Sequence, residues 1–296
     1  MTASRPCRYV RIVTPKKYVL DGLWFGSKRP RTALVFVHGL GANAFAHHDY
    51  LVPLADRDTA VLFFSNRGHD GIAGIKKIKP SAKKGYVWER AGVAHEVFTE
   101  CVDDLQGTVD LVRKRGARRI FLVGHSTGCQ KIAYYLAQRG KRQLVSGAVF
   151  LCPISDYASA THEDERKRKR AERAARKLIR DKQPHELLPA YLWRGPIDAQ
   201  RFLSLYTPNS KEEIFTYAQP RKIPRVLRKL KSPLLVVFAG DDEYRDRPTE
   251  EIAAWFRANL QSPRADIQIL SGASHSFTGK EATVARAIRT WIANRP

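Results

Sequence analysis

Six short apolar runs punctuate the chain, at residues 32–37, 60–65, 120–123, 147–151, 234–239 and 267–270. Each has strand length and is apolar at successive positions, the pattern required of a strand covered on both faces of a sheet. Ahead of them, residues 8–13 alternate polar and apolar side chains, and residues 18–24 break around Asp21 and Gly22. This predicts an antiparallel hairpin or meander at a sheet edge. Helix-length stretches separate most of the runs. Residues 97–115 place Val97, Cys101, Leu105, Val109 and Val112 near helical spacing, and Gly116 is set to stop them. Residues 127–138 follow Ser126 and end at Gly140, and residues 281–293 carry a stripe of Val284, Ala287, Ile288, Trp291 and Ile292. Strands alternating with helices predict an α/β fold, a mostly parallel central sheet with helices on both faces.

The alternation fails once, between residues 153 and 230. No strand pattern occurs there. A charged helix is expected over residues 163–182, followed by aromatic-rich pieces such as residues 187–193, with prolines at 184, 189, 196, 208, 220 and 224. A helical insertion between two strands reads as a cap folded over the C-terminal edge of the sheet. The predicted organisation is thus a core of residues 1–152 and 231–296 carrying a cap of residues 153–230.

A chain of 296 residues with 43% hydrophobic residues has an ordinary globular composition and needs no disulfide or metal to hold a core. The first eight residues lack the apolar centre of a signal peptide, and no apolar run approaches a membrane span. Cys7, Cys101, Cys129 and Cys152 are scattered and read as buried free thiols, so the expected location is cytoplasmic.

The formal charge of +23 is the abnormal property. It could steer anionic substrates or polyanions, or it could reflect arginine-rich solvated faces. The densest basic stretch, Arg166-Lys167-Arg168-Lys169-Arg170 with Arg173, Arg176, Lys177 and Arg180, is interleaved with Glu163, Asp164, Glu165, Glu172 and Asp181. That reads as an ion-paired cap helix, so nucleic acid is not the expected partner. Lys76, Lys77, Lys79, Lys83 and Lys84 stand among glycines and read as an exposed loop that could meet an anionic substrate.

The candidate chemistry begins at Gly124-His125-Ser126-Thr127-Gly128, where a strand runs through GxSxG into a helix. In this context the serine sits on a strained turn at a strand end, before the positive end of a helix. A serine hydroxyl needs a base, and the base needs an orienting acid. His275, in Gly272-Ala273-Ser274-His275-Ser276-Phe277 after the last strand, supplies the base. The acid is Asp242 or its neighbour Asp241, in the turn Gly240-Asp241-Asp242-Glu243 after the strand before it. The turn His38-Gly39-Leu40-Gly41 ends the first buried strand, and the amides of Leu40 and Thr127 are the expected oxyanion donors. His38 itself reads as a structural hydrogen-bonding residue. Trp88, Tyr191, Trp193, Phe202, Tyr206, Phe215 and Tyr217 are candidates for a pocket lining or for cap core. His47, His48, His69 and His95 lack metal-ligand spacing, so no metal is expected.

Taken together, HGLGAN, GHSTG, GDDE and GASHSF resemble the α/β-hydrolase superfamily across nearly the whole chain. The word GHSTGCQ is similar to a branch that includes fungal siderophore esterases. That branch carries an acidic residue where this chain has Lys131, which counts against a siderophore substrate. The resemblance implies an ester hydrolase with a Ser126, His275 and Asp242 triad, no cofactor, and a small-molecule ester substrate, which the basic residues and the aromatic candidates would allow to be anionic or aromatic. An acyltransferase or amidase with the same triad, and a polyanion-binding protein on the same fold, are the competing readings.

Overall fold

A computed structural model describes residues 5–140 and 144–295. Met1–Ser4, half of the N-terminal stretch read above, lie outside the described residues. The strands are β1 (Cys7–Val13), β2 (Tyr18–Gly26), β3 (Thr32–Val37), β4 (Thr59–Phe64), β5 (Ala73–Ile78), β6 (Tyr86–Ala91), β7 (Arg119–His125), β8 (Gly147–Leu151), β9 (Leu234–Ala239) and β10 (Ala265–Leu270). The helices are α1 (His48–Leu51), α2 (Cys101–Lys114), α3 (Thr127–Arg139), α4 (Asp156–Arg180), α5 (Ala199–Tyr206), α6 (Arg225–Arg228), α7 (Thr249–Asn259) and α8 (Glu281–Ala293).

All ten strands join one sheet in the order β10-β9-β8-β7-β3-β4-β2-β5-β6, with β1 paired to β2. From β10 to β4 the strands run parallel; β2 pairs antiparallel with β4, β5 and β1. The expected mostly parallel sheet with helices on both faces is therefore present. One face packs on α2, α3 and α7 around Leu105, Ile132 and Phe256, and the other on α1 and α8 around Leu51 and Ile288. Strands β3, β8 and β9 are buried at every position, which is why their sequences are unbroken apolar runs.

Three local expectations need correction. First, β2 does not break at Asp21-Gly22. Its Gly22 carries no side chain because a Cβ there would lie 2.7 Å from the Phe63 carbonyl oxygen of the neighbouring β4. Second, Lys76 and Lys77 lie in a strand of a hairpin, Lys77 pairing with Glu89 at 3.0 Å across β5 and β6 and Lys76 lying over the Tyr86 ring at 3.8 Å, while Lys79, Lys83 and Lys84 are exposed in the connecting turn as expected. Half-exposed strands with lysines on the wet side carry no apolar signature. Third, β10 lies at the sheet edge and is only partly buried.

The residues 153–230 contain no named strand among the described residues. Helices α4 and α5 pack on each other over their own small cluster, which includes Ala171, Ala175, Trp193 and Phe202. The ion pairing expected of α4 is present at three of its basic residues: Arg168 and Arg176 share Glu172, and Lys169 meets Glu165, whereas Arg166, Lys167, Arg170, Arg173, Lys177 and Arg180 make no ion pair among the described residues.

Candidate active site

The parallel strands all point their C-terminal ends to one edge, and the segments leaving that edge after β3, β7, β8, β9 and β10 build a cleft of about 250 Å³. Gly39, Leu40, His47, Ser126, Asp156, Tyr206, Tyr244 and His275 are among its walls. The α4–α5 segment contributes Asp156, Arg194 and Tyr206 to the walls.

Ser126 connects β7 directly to α3, at φ 53° and ψ −126°. A non-glycine residue holds this conformation only when its surroundings over-determine it. Here they do. A Cβ on Gly128 would lie 2.0 Å from the Val37 carbonyl oxygen, and one on Gly124 would lie 2.7 Å from the Gly128 backbone. The turn can therefore close only with glycine at both positions. Its amide is fixed by donating to the Leu151 carbonyl at 2.9 Å. His47, Cys152 and Phe277 also have positive φ, so backbone strain gathers around this one edge.

His275 shares the cleft with Ser126 and is held from four directions. Its Nδ1 lies 2.7 Å from Asp242 Oδ2, its amide donates to Glu243 Oε2 at 2.8 Å, and its carbonyl accepts from His125 Nε2 at 2.9 Å. Cys152 Sγ adds a weaker contact to the same carbonyl at 3.3 Å. Burial pushes the His125 imidazole well below its usual pKa, with His47 and His275 adding to the effect. It is thus neutral, with Nε2–H available to donate.

The two acid candidates separate clearly. Asp242 is buried against His275, with its other oxygen accepting from the Tyr244 amide at 3.0 Å. The Asp241 side chain is 70% exposed and reaches only Arg245, at 3.8 Å. Leu40 lines the cleft, and Thr127 opens α3, where a first-turn amide has no carbonyl four residues back to bond to. His38 is fully buried, with Nδ1 2.8 Å from the Gly39 carbonyl and Nε2 accepting from the Asn66 amide at 3.1 Å. Burial first and Lys131 second lower its pKa to about 3, in keeping with a structural role.

Several site residues carried no readable signal. His47 lies tilted against His125, ring centroids 4.2 Å apart, and burial brings its pKa to about 4. Asp156, at the start of α4, is a partly buried carboxyl in the cleft wall that accepts from Gln130 Nε2 at 3.1 Å. Burial, reinforced by nearby Glu212, raises its pKa to about 7. Of the aromatic candidates only Tyr206 reaches the cleft. Trp88 and Tyr191 are 65% and 78% exposed, and the rest pack in cores.

Lys131 points away from the cleft. Its ammonium is buried 2.6 Å from Glu96 Oε1, while Glu96 Oε2 meets Arg201 at 2.7 Å and Arg201 meets Glu212 at 2.5 Å. Burial alone would raise Glu96, but the two cations outweigh it and hold its pKa at about 2. The departure at Lys131 is therefore answered inside the protein, between α3 and α5, and says nothing about the substrate. Cys7 is exposed, contrary to expectation, while the other three thiols are buried. No helix among the described residues is long and apolar enough to cross a membrane.

The sequence model of a family described as "Protein of unknown function (DUF1749)" matches residues 89–293. No curated protein matches the sequence. Among solved structures, the siderophore hydrolase EstB from Aspergillus fumigatus is similar at 18% identity and a TM-score of 0.68, covering 99% of this chain and 98% of that one. Monoglyceride lipase from Saccharomyces cerevisiae, solved with a substrate analogue, is similar at 14% identity and 0.65, covering 99% and 96%. Est1E from Butyrivibrio proteoclasticus, solved with ferulic acid, is similar at 16% identity and 0.60, covering 97% and 98%. The fold is that of the α/β-hydrolases.

Proposed function

The chain belongs to the DUF1749 family, and from that footing we propose that it is a serine hydrolase of carboxylic esters. The observation that carries the reading is the presence of a strained Ser126 and of His275 in the walls of one cleft, His275 being held 2.7 Å from the buried Asp242 carboxylate. In the proposed reaction His275 takes the Ser126 proton as the hydroxyl attacks an ester carbonyl, and Asp242 stabilises the imidazolium that forms. The amides of Leu40 and Thr127 receive the oxyanion. His275 then protonates the leaving alcohol, and water releases the acyl group by the same route. No cofactor enters.

The segment 153–230 acts as a cap in this reading, because it contributes to the walls of the cleft that Ser126 lines. A cleft of about 250 Å³ favours a compact acyl group over a long chain. Neighbours named as a siderophore hydrolase and a monoglyceride lipase, and one solved with ferulic acid, suit the same ester chemistry. Buried thiols suit a reducing compartment, and cytoplasmic location is part of the proposal.

Hydrolysis of p-nitrophenyl acetate, butyrate, laurate and cinnamate by the wild type and by Ser126→Ala tests it. The expected result is turnover of the shorter esters, falling by at least about 10⁴-fold in kcat for the variant. Equal rates for the two proteins would refute the assignment. Added alcohol or amine acceptors would divert the acyl group if the protein were an acyltransferase.

A further inference from the structure

Away from the nucleophile, two imidazoles and a carboxylate converge where the core meets the segment after α4. His95 lies on the loop following β6, His185 follows α4, and Asp198 caps the N-terminus of α5. Nδ1 of His95 and Nδ1 of His185 each lie 3.0 Å from the same oxygen, Asp198 Oδ2. One donor atom from each residue lies within 4.8 Å of the other two. The carboxylate is anchored independently: Oδ1 accepts from the Arg201 amide at 2.7 Å, and the Asp198 amide donates to the Ala94 carbonyl at 2.9 Å. His95 and Asp198 are enclosed, whereas the His185 side chain is 54% exposed, which leaves one flank open to solvent. Spacing along the chain hides this group, because 90 and 13 residues separate neighbours that only the cap geometry brings together.

We propose that His95, His185 and Asp198 form a binding site for one transition-metal dication of the zinc, cobalt or nickel class. Two imidazole nitrogens and one carboxylate oxygen suit such ions, whereas magnesium and calcium favour oxygen-only sets. Three protein ligands and a water on the open flank complete a tetrahedral zinc site. Ligands about 2.0–2.1 Å from a tetrahedral ion stand about 3.3 Å apart, so the 3.0 Å separations need to open only slightly. Binding uses the Nδ1 lone pairs. In the metal-bound form each imidazole therefore carries its proton on Nε2. The ion ties together three segments far apart in sequence. One of them, α5, also carries Arg201 into the buried network with Glu96 and Lys131. The bound ion is thus a clasp between core and cap, distinct from the cleft.

Zinc chloride titrated calorimetrically into the metal-stripped, tag-free chain, and cobalt chloride followed by its visible absorption, test the site without reference to ester turnover. The expected result is saturation at one equivalent. Tm should rise by roughly 5 °C at a hundred-fold excess over Kd. His185→Ala, at an exposed position, should weaken binding by more than about 100-fold, since loss of even an outer hydrogen-bond partner costs about 10–100-fold. His95→Gln should do the same. Absence of binding would overturn the proposal. So would binding that survives both substitutions, which would place the ion elsewhere, for instance on His125, Cys152 and His275.

Discussion

Ser126 is held at a φ of 53°, a conformation that costs about 1–3 kcal/mol and is retained because Val37, Gly124 and Gly128 leave the turn no other path. At this scale the sharpest prediction concerns the two adjacent acids. Asp242→Asn should leave the fold intact but lower kcat by about 10⁴-fold, because an amide in place of the carboxylate stabilises the wrong imidazole tautomer. Asp241→Asn, at an exposed side chain 3.8 Å from Arg245, should change kcat by less than about two-fold, as exposed ion pairs contribute little. A p-nitrophenyl butyrate assay on both variants decides, and the reverse ranking would move the acid to Asp241. The positions of the proposed triad were legible in the chain because each is tied to a strand end by a short loop with its own motif. His47, Asp156 and Glu243 were not. Their places depend on contacts such as His47 against His125, which no local spacing encodes.

Helix α4 begins at a junction of buried and partly buried acids, and its stability should depend on pH. Ser155 caps the helix, accepting from the Ala158 amide at 3.0 Å and donating to Glu213 at 2.8 Å. Burial raises the Glu213 carboxyl to about 8, against hydrogen bonds from Ser155 and Gln219 that favour its charged form; Asp156, beside it, is raised to about 7. Both folded-state values exceed the ordinary carboxylate range, so the folded protein holds protons that the unfolded chain has released. Stability from these groups is then fully present below about pH 4 and is lost as pH rises through 7 and 8. Glu213→Gln, which keeps a neutral hydrogen-bonding group, should flatten the fall in Tm between pH 5 and 8.5 by several degrees. Parallel wild-type and variant curves from scanning calorimetry would count against it. The same scale shows why the elements were unequally legible. Fully buried β8 and β9 announced themselves as apolar runs at their observed bounds, Gly147–Leu151 and Leu234–Ala239. The β5–β6 hairpin did not, since lysines on its wet face and three glycines around it imitate a loop.

Over the whole molecule the chain carries a formal charge of +23, and the structure separates the local part of that excess from the long-range part. Locally, some cations are spoken for: Arg67 is gripped by Glu100, Asp103 and Asp104, Arg201 by Glu96 and Glu212, and Arg168, Lys169 and Arg176 of α4 by glutamates of the same helix. Ion pairs of this kind cancel fields nearby but leave the net charge, and hence the distant field, unchanged. At the cleft the balance is mixed, with Arg194 on the rim and the Asp156 carboxyl within. A positive field around a nearly balanced cleft should raise the encounter rate of anionic esters without tightening their binding once inside. The expected signature is therefore kinetic. From about 10 to 300 mM salt, as the Debye length falls from about 30 Å to below 8 Å, kcat/KM for a monoanionic ester should drop several-fold. Under the same conditions kcat should hold steady, and kcat/KM for an uncharged ester of equal size should change little. Where chemistry rather than encounter limits turnover the anionic substrate loses this advantage, so the comparison belongs with the fastest short-chain ester. If both esters respond to salt alike, the excess charge is a property of the solvated surface and plays no part in bringing substrate to Ser126.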